Sequence, residues 1–268
     1  MTIKQWRQMT ALNKELAVVN KQEEKLARAA QKATPPGWKQ ELESRLPDKV
    51  SSGLNSAFCK GFSAVFQHGK AVIEKGYSKE ERQADYDIRN FAVQRKGGRK
   101  ELRQMHKSAR QSDLLNLAVT TAEGIGLGAL GIGMPDIVLF LGTLLKGIYE
   151  TALSYGFDYE ARQEQLLILK MMETALSHGE SWVRKNQEVE KMLLWETVDI
   201  SEEEFRQQLQ STAAVFATDM LLLKFIQGLP IVGILGGAAN GVYYRKILQY
   251  VQLKYRKRYL LKQREQLQ

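Results

Sequence analysis

The chain has 268 residues, with 39 Lys or Arg against 30 Asp or Glu, for a formal net charge of +9. A single cysteine, Cys59, excludes an internal disulfide framework and a Cys-based zinc site, and three scattered histidines give no multi-His pattern, so neither metal nor cofactor is expected. The 44 % hydrophobic content argues against disorder, and the positive balance predicts an anionic partner, either nucleic acid or the phosphate-rich face of a membrane.

Residues 1–33 place Met9, Leu12, Leu16, Val19 and Leu26 at three- and four-residue spacings among charged residues, which predicts an amphipathic helix with a narrow apolar seam. It contains no uninterrupted apolar core, so no secretory signal peptide is expected. "TPPGW" (34–38) ends the helix, because consecutive prolines cannot continue it. "RLPDKVSSG" (45–53) is a second break, making 34–53 a connector. Beyond it, Leu54, Phe58, Phe62, Val65, Phe66, Val72 and Ile73 recur on one helical face.

Ser78-Lys-Glu-Glu81 and Ser201-Glu-Glu-Glu204 carry capping-box spacing. The second precedes a stripe of Phe205, Leu209, Thr212, Phe216, Met220 and Leu223. "QRKGGRK" (94–100) reads as a basic turn between helices. Alternating runs bounded by hairpin turns are absent, so the expected fold is all-α, about eight helices around a glycine-rich helical hairpin.

The hairpin's first half is "EGIGLGALGIGMPD" (123–136). Its Gly126-x-Gly128-x-x-Gly131 spacing resembles a dinucleotide loop, but that loop needs a preceding strand, and the preceding residues are helical in pattern. As a membrane span, 124–145 is marginal, because Asp136 at its middle costs about 3 kcal/mol against eleven Ile, Leu, Val or Phe residues at roughly −0.3 to −0.6 each. Pro135 instead suits the first turn of a new helix, with Asp136 facing its positive end, running to about Tyr155 where Gly156 stops it. The second half, 228–244, repeats the first-turn proline at Pro230 and spaces Gly233, Gly237 and Gly241 four apart. With Gly124 and Gly128 they predict a close helix crossing.

These segments resemble the EcsC family of bacterial proteins, which pairs a glycine-rich segment, an Asp-containing helix and a terminal "YG(F/Y)D" with a later "PxxGAxxGAxxN". Here those positions are Gly124 to Asp136, Tyr155-Gly156-Phe157-Asp158, and Pro230 to Asn240, with "LPDKV" (46–50) upstream. Ile234-Leu235 departs from the small residue usual there. The resemblance extends over about 40–255, leaving 1–33 outside. The family has no established enzymatic chemistry, and since its namesake is encoded beside an ABC transporter and its loss disturbs protein secretion, the resemblance implies an ABC transporter or other membrane protein as partner.

Two clusters carry the charge. Residues 89–110 hold eight Lys or Arg, including Arg95, Lys96, Arg99, Lys100 and Arg103, against Glu101 alone. Residues 245–264 hold eight more, including Lys254, Arg256, Lys257 and Arg258, with no acid and with Tyr243, Tyr244, Tyr250, Tyr255 and Tyr259 interleaved. Basic residues beside an apolar helix suit an anionic leaflet, each contributing about 1 kcal/mol. A solvated basic face with inward tyrosines is the plainer reading. No nucleic-acid signature is present.

Candidate chemistry is sparse. Glu123 and Asp136 are the candidate functional carboxylates, Lys146 and Glu150 can pair along one helix, and "HGESW" (178–182) lacks the cysteines of a deaminase. The sequence therefore predicts a 1–33 helix, a 54–255 helical domain and a basic 256–268 tail. The function expected is that of a non-enzymatic cytoplasmic protein at the inner face of the membrane, an accessory of transport or secretion. The alternatives are a soluble interaction module that binds a partner or a second copy through 1–33, and a lipid-acting enzyme using Glu123 or Asp136.

Overall fold

A computed structural model describes residues 2–32, 48–68, 77–109, 134–194, 198–227 and 238–268, together with Ile73. Among the described residues the fold is all-α, with nine helices and no strand. They are α1 (Ile3–Lys32), α2 (Asp48–His68), α3 (Lys79–Lys96), α4 (99–109), α5 (Met134–Ser154), α6 (Arg162–Leu176), α7 (Gly179–Met192), α8 (Glu202–Gln227) and α9 (Ala238–Glu265).

Local chemistry sets the helix ends. The Ser201 backbone donates to Glu204 Oε2 at 2.9 Å while Glu204 N donates to Ser201 Oγ at 3.2 Å, a complete reciprocal box at the start of α8. Ser78 accepts from Glu81 N at 3.1 Å. Its hydroxyl donates to Glu80 Oε2, so only the backbone half of the expected Ser78–Glu81 box is made. A box not anticipated from the sequence starts α1, where Thr2 N donates to Gln5 Oε1 at 2.7 Å and Gln5 N to Thr2 Oγ1 at 3.2 Å.

The helix expected from Met134-Pro135-Asp136 is α5. It ends in a Schellman turn: Phe157 N donates to Ala152 O and Gly156 N to Leu153 O, with Gly156 at φ +76°. A Cβ on Gly156 would lie 2.2 Å from the Tyr86 ring, so the "YGFD" stretch closes a helix against α3.

Apolar periodicity then pairs the helices. Phe58 and Phe62 of α2 meet Phe216 of α8 at ring-centroid distances of 5.5 and 5.3 Å, and Phe66 meets Phe205 at 5.5 Å, so the two helices run antiparallel. Leu209, Thr212 and Met220 are buried on the same stripe as expected. Helix α5 packs on α2, α3 and α9, while α6 packs on α7, α8 and α9. Within Ile137–Ser154, α5 is long and apolar enough to cross a membrane, with mean hydropathy 1.4, and 67 % of that window is buried in protein.

The centre is α9, packed by α1, α5 and α6. Two boundary expectations are corrected. Residues 256–265 continue α9 without a break rather than forming a tail, and α1 is packed against α9 and α7 rather than standing apart. Its seam, Ala11, Leu12, Leu16 and Val19, is buried inside the chain and is thus not a free docking face. Gly124, Gly128, Gly233 and Gly237 lie outside the described residues, and Gly241 is the fourth residue of α9. The close α5–α9 approach that is described falls at Gly147, where a Cβ would lie 2.3 Å from Tyr244 Oη and 3.3 Å from Leu248.

Candidate anion-binding surface and buried ionic core

The two basic clusters have opposite fates. On α3 and α4, Arg95, Lys96, Lys100 and Lys107 are exposed, and the Arg103 side chain is 60 % exposed. On α9 the candidates Lys254, Arg256, Lys257 and Arg258 point inward, each onto a carboxylate. This corrects the expectation that they face an anionic surface. The physical reason is that α9 is covered on several sides, and a charge enforced into such a position needs an opposite charge.

The pairing is explicit. Lys254 Nζ lies 3.0 Å from Glu23 Oε1 of α1 and 2.5 Å from Glu190 Oε1 of α7. Lys257 Nζ lies 2.8 Å from Glu23 Oε2 and 2.5 Å from Glu190 Oε2, closing a four-charge ring. Asn186 donates to Glu23 at 2.7 Å and accepts from Tyr250 Oη at 2.8 Å. Burial alone would raise the Glu23 pKa, but the Lys254 charge and the Lys257 and Asn186 hydrogen bonds outweigh it and hold the carboxyl at about 2. Burial also pulls Lys254 below the ordinary lysine value against the attraction of Glu23 and Glu190.

Just over two helical turns away on α1, Glu15 is buried under three guanidiniums. Arg99 Nε and Arg103 Nε reach its Oε1 at 2.7 and 3.2 Å, and Arg256 Nη2 reaches its Oε2 at 2.5 Å. Burial opposes ionisation here too, yet the Arg99 hydrogen bond and the charges of Arg256, Arg99 and Arg103 keep its pKa below the usual carboxylate value. Arg258 pairs with Glu164 at 2.7 Å, Tyr255 Oη donates to the same carboxylate at 2.8 Å, and the Arg258 guanidinium lies 4.2 Å from the centre of the Phe157 ring. Tyr243, Tyr244, Tyr250, Tyr255 and Tyr259 are all buried, the inward placement the plainer reading expects.

Sequence reading singled out the cations and missed the acids that receive them. A signal was present, because Glu15 and Glu23 fall on the apolar seam of α1 with Leu12, Leu16, Val19 and Leu26, where a solvated carboxylate does not belong. A further buried acid, Glu173, ties three helices, accepting from Ser211 Oγ at 2.6 Å and Gln208 Nε2 at 2.7 Å while pairing with Lys185 at 2.8 Å. Glu123 and the Asp136 side chain lie outside the described residues. Glu150 is buried and meets Arg82 at 3.7 Å. His178, from "HGESW", precedes α7 and bonds Asp219 of α8 through Nε2.

At the exposed cluster, the start of α1 abuts the end of α3. Gln8 Nε2 donates to Gln94 O at 3.2 Å, and Gly97, at φ +61°, admits the Gln8 side chain where a Cβ would come 2.0 Å from Cγ. Within two turns of that junction four large apolar side chains are exposed: Ile3 and Trp6 on α1, Ile88 and Phe91 on α3.

No curated protein and no solved structure matches the chain. A family model described as the EcsC protein family matches residues 10–260, which takes in most of α1 as well as the Schellman turn and the ionic core, and corrects the expectation that 1–33 lies outside the family. The chain belongs to the EcsC protein family.

Proposed function

We propose that this protein docks on the anionic cytoplasmic face of a membrane and acts there, without catalysis, as an accessory to a membrane transport or secretion process. The observation that carries this reading is the pairing of exposed cations with exposed apolar side chains at the α1–α3–α4 junction. Arg95, Lys96, Lys100, Arg103 and Lys107 supply charge, and near an anionic leaflet each contributes about 1 kcal/mol. Trp6, Ile3, Phe91 and Ile88 supply bodies that enter the headgroup boundary. Together they match a surface that is negative outside and apolar just beneath. A membrane transporter of the ABC type is the partner proposed, on the family resemblance.

Flotation of the full chain with vesicles tests it. Binding is expected to phosphatidylglycerol-containing vesicles, to be absent with neutral phosphatidylcholine, and to weaken as salt rises, since screening shortens to about 8 Å at physiological ionic strength. Lys96→Glu with Lys100→Glu should abolish flotation and Trp6→Ala should weaken it. Binding that is absent, or indifferent to lipid charge, overturns the reading.

A further inference from the structure

Three guanidiniums converge on one carboxylate at Glu15, and this is more positive charge than a carboxylate can use. Arg99, Arg103 and Arg256 each make their ion pair with Glu15, three cations against one anion. Planar guanidiniums closing on a single anion from several directions are the arrangement that suits phosphate, whose oxygens accept more hydrogen bonds and which carries more charge than a carboxylate. The cluster is also continuous with the surface. Arg103 is 60 % and Arg99 37 % exposed, and both lie on α4 beside the exposed Lys96 and Lys100, whereas Arg256 is buried beneath Glu15.

The element that fills the cluster is held by charge as well as by an apolar seam. Over its 30 residues α1 fully buries four apolar side chains, Ala11, Leu12, Leu16 and Val19, with Leu26, Ala27 and Ala30 partly buried against the core, and two of its acids, Glu15 and Glu23, face the cations of α9. Its own bases, Lys4, Lys14, Lys21 and Lys25 among them, are exposed. An anion that outbids Glu15 would therefore release one of the two ionic anchors of α1 and leave the Glu23 ring and the apolar seam as its remaining hold.

We propose that Arg99, Arg103 and Arg256 form a binding site for the phosphate of an anionic lipid headgroup, that Glu15 occupies this site in the protein free of membrane, and that headgroup binding loosens α1 around Glu15. The inference rests on the membrane reading above and adds to it a specific pocket and a conformational consequence. Glu15 acts as an internal substitute for the ligand, so binding and loosening share one coupling free energy.

Hydrogen exchange on the full-length wild-type chain tests it without any substitution. Vesicles of phosphatidylglycerol in phosphatidylcholine should deprotect the amides of 11–19 while those of α6 and α8 stay protected, and phosphatidylcholine alone should change neither. Flotation supplies the second arm. Glu15→Gln should bind anionic vesicles roughly tenfold more tightly than wild type, within the usual range of site–site coupling. Adding Arg256→Gln to it should remove that gain. Wild-type flotation with unchanged α1 protection, and Glu15→Gln no tighter, overturns the inference and leaves the membrane reading standing. Flotation of Glu15→Gln but not of wild type supports the inference and overturns the membrane reading for the resting protein. If no form floats and inorganic phosphate alone deprotects α1, the lipid assignment is overturned and the ligand is a soluble phosphate. Should Glu15→Gln fail to fold, the wild-type exchange result decides alone.

Discussion

Lys254 Nζ on α9 lies 3.0 Å from Glu23 Oε1 on α1, and none of the lysine side chain reaches solvent. The pair joins a helix near the start of the chain to one near its end, with Glu190 of α7 and Lys257 completing the ring. Such a ring adds little over well-packed apolar residues, but breaking one member leaves a buried charge uncompensated.

Lys254→Met should therefore lower unfolding free energy by about 3–5 kcal/mol, because Glu23 and Glu190 would be left to share Lys257 alone. The exposed pair Arg28–Glu24, 3.8 Å apart, is the internal control, and Glu24→Ala should change stability by less than about 1 kcal/mol. Urea denaturation monitored by circular dichroism reads both.

Acid should dismantle the same core. Glu23, Glu15 and Glu173 all bind protons more weakly folded than unfolded, Glu23 at about 2 against an ordinary 4.5. Their stabilisation is complete above pH 4.5 and is lost as the pH falls toward 2, on the order of 3 kcal/mol for Glu23. The melting temperature should be flat from pH 7 to 5 and fall steeply below that. A flat profile down to pH 3 would contradict the pairing.

Three glycines separate backbone strain from crowding. Gly156 and Gly179 both have positive φ, +76° and +56°, but only Gly156 has a neighbour in the path of a Cβ, Tyr86 at 2.2 Å. Gly179→Ala should cost about 1–2 kcal/mol from conformation alone, and Gly156→Ala distinctly more. Gly147→Ala tests crowding without strain, since the buried Tyr244 must shift, at about 1–3 kcal/mol. Thermal melts rank the three.

The completeness of the two serine caps predicts unequal losses. Ser201→Ala removes a reciprocal box at α8 and should cost about 1–2 kcal/mol, whereas Ser78→Ala at α3 should cost about 0.5–1 kcal/mol. Chemical denaturation of the two variants side by side gives the difference.

Much of the fold was legible because it rests on short-range physics. The three- and four-residue spacing of Phe58, Phe62, Phe205, Leu209 and Phe216 belongs to a helix whatever it packs on, and those side chains are buried as the spacing requires. Pro135 at the start of α5 and Gly156 at its end act through φ and hydrogen bonding within a few residues. The Ser201 box closes over three positions, and the basic clusters are visible by counting. For the site, the sequence named the cations of both clusters but not their partners.

What tertiary structure alone decided is which charges meet water. Lys96 and Lys254 look alike in the sequence, each in a basic run, yet one is exposed and the other lies wholly inside. No periodicity distinguishes them, because α9 carries tyrosines and cations around its whole circumference and shows no apolar stripe to orient it. Its inward side is fixed by acids that arrive from far away, such as Glu23, 234 positions from Lys257. Coulomb attraction has no sequence period, so a buried ion pair becomes readable only once packing has brought its two halves together.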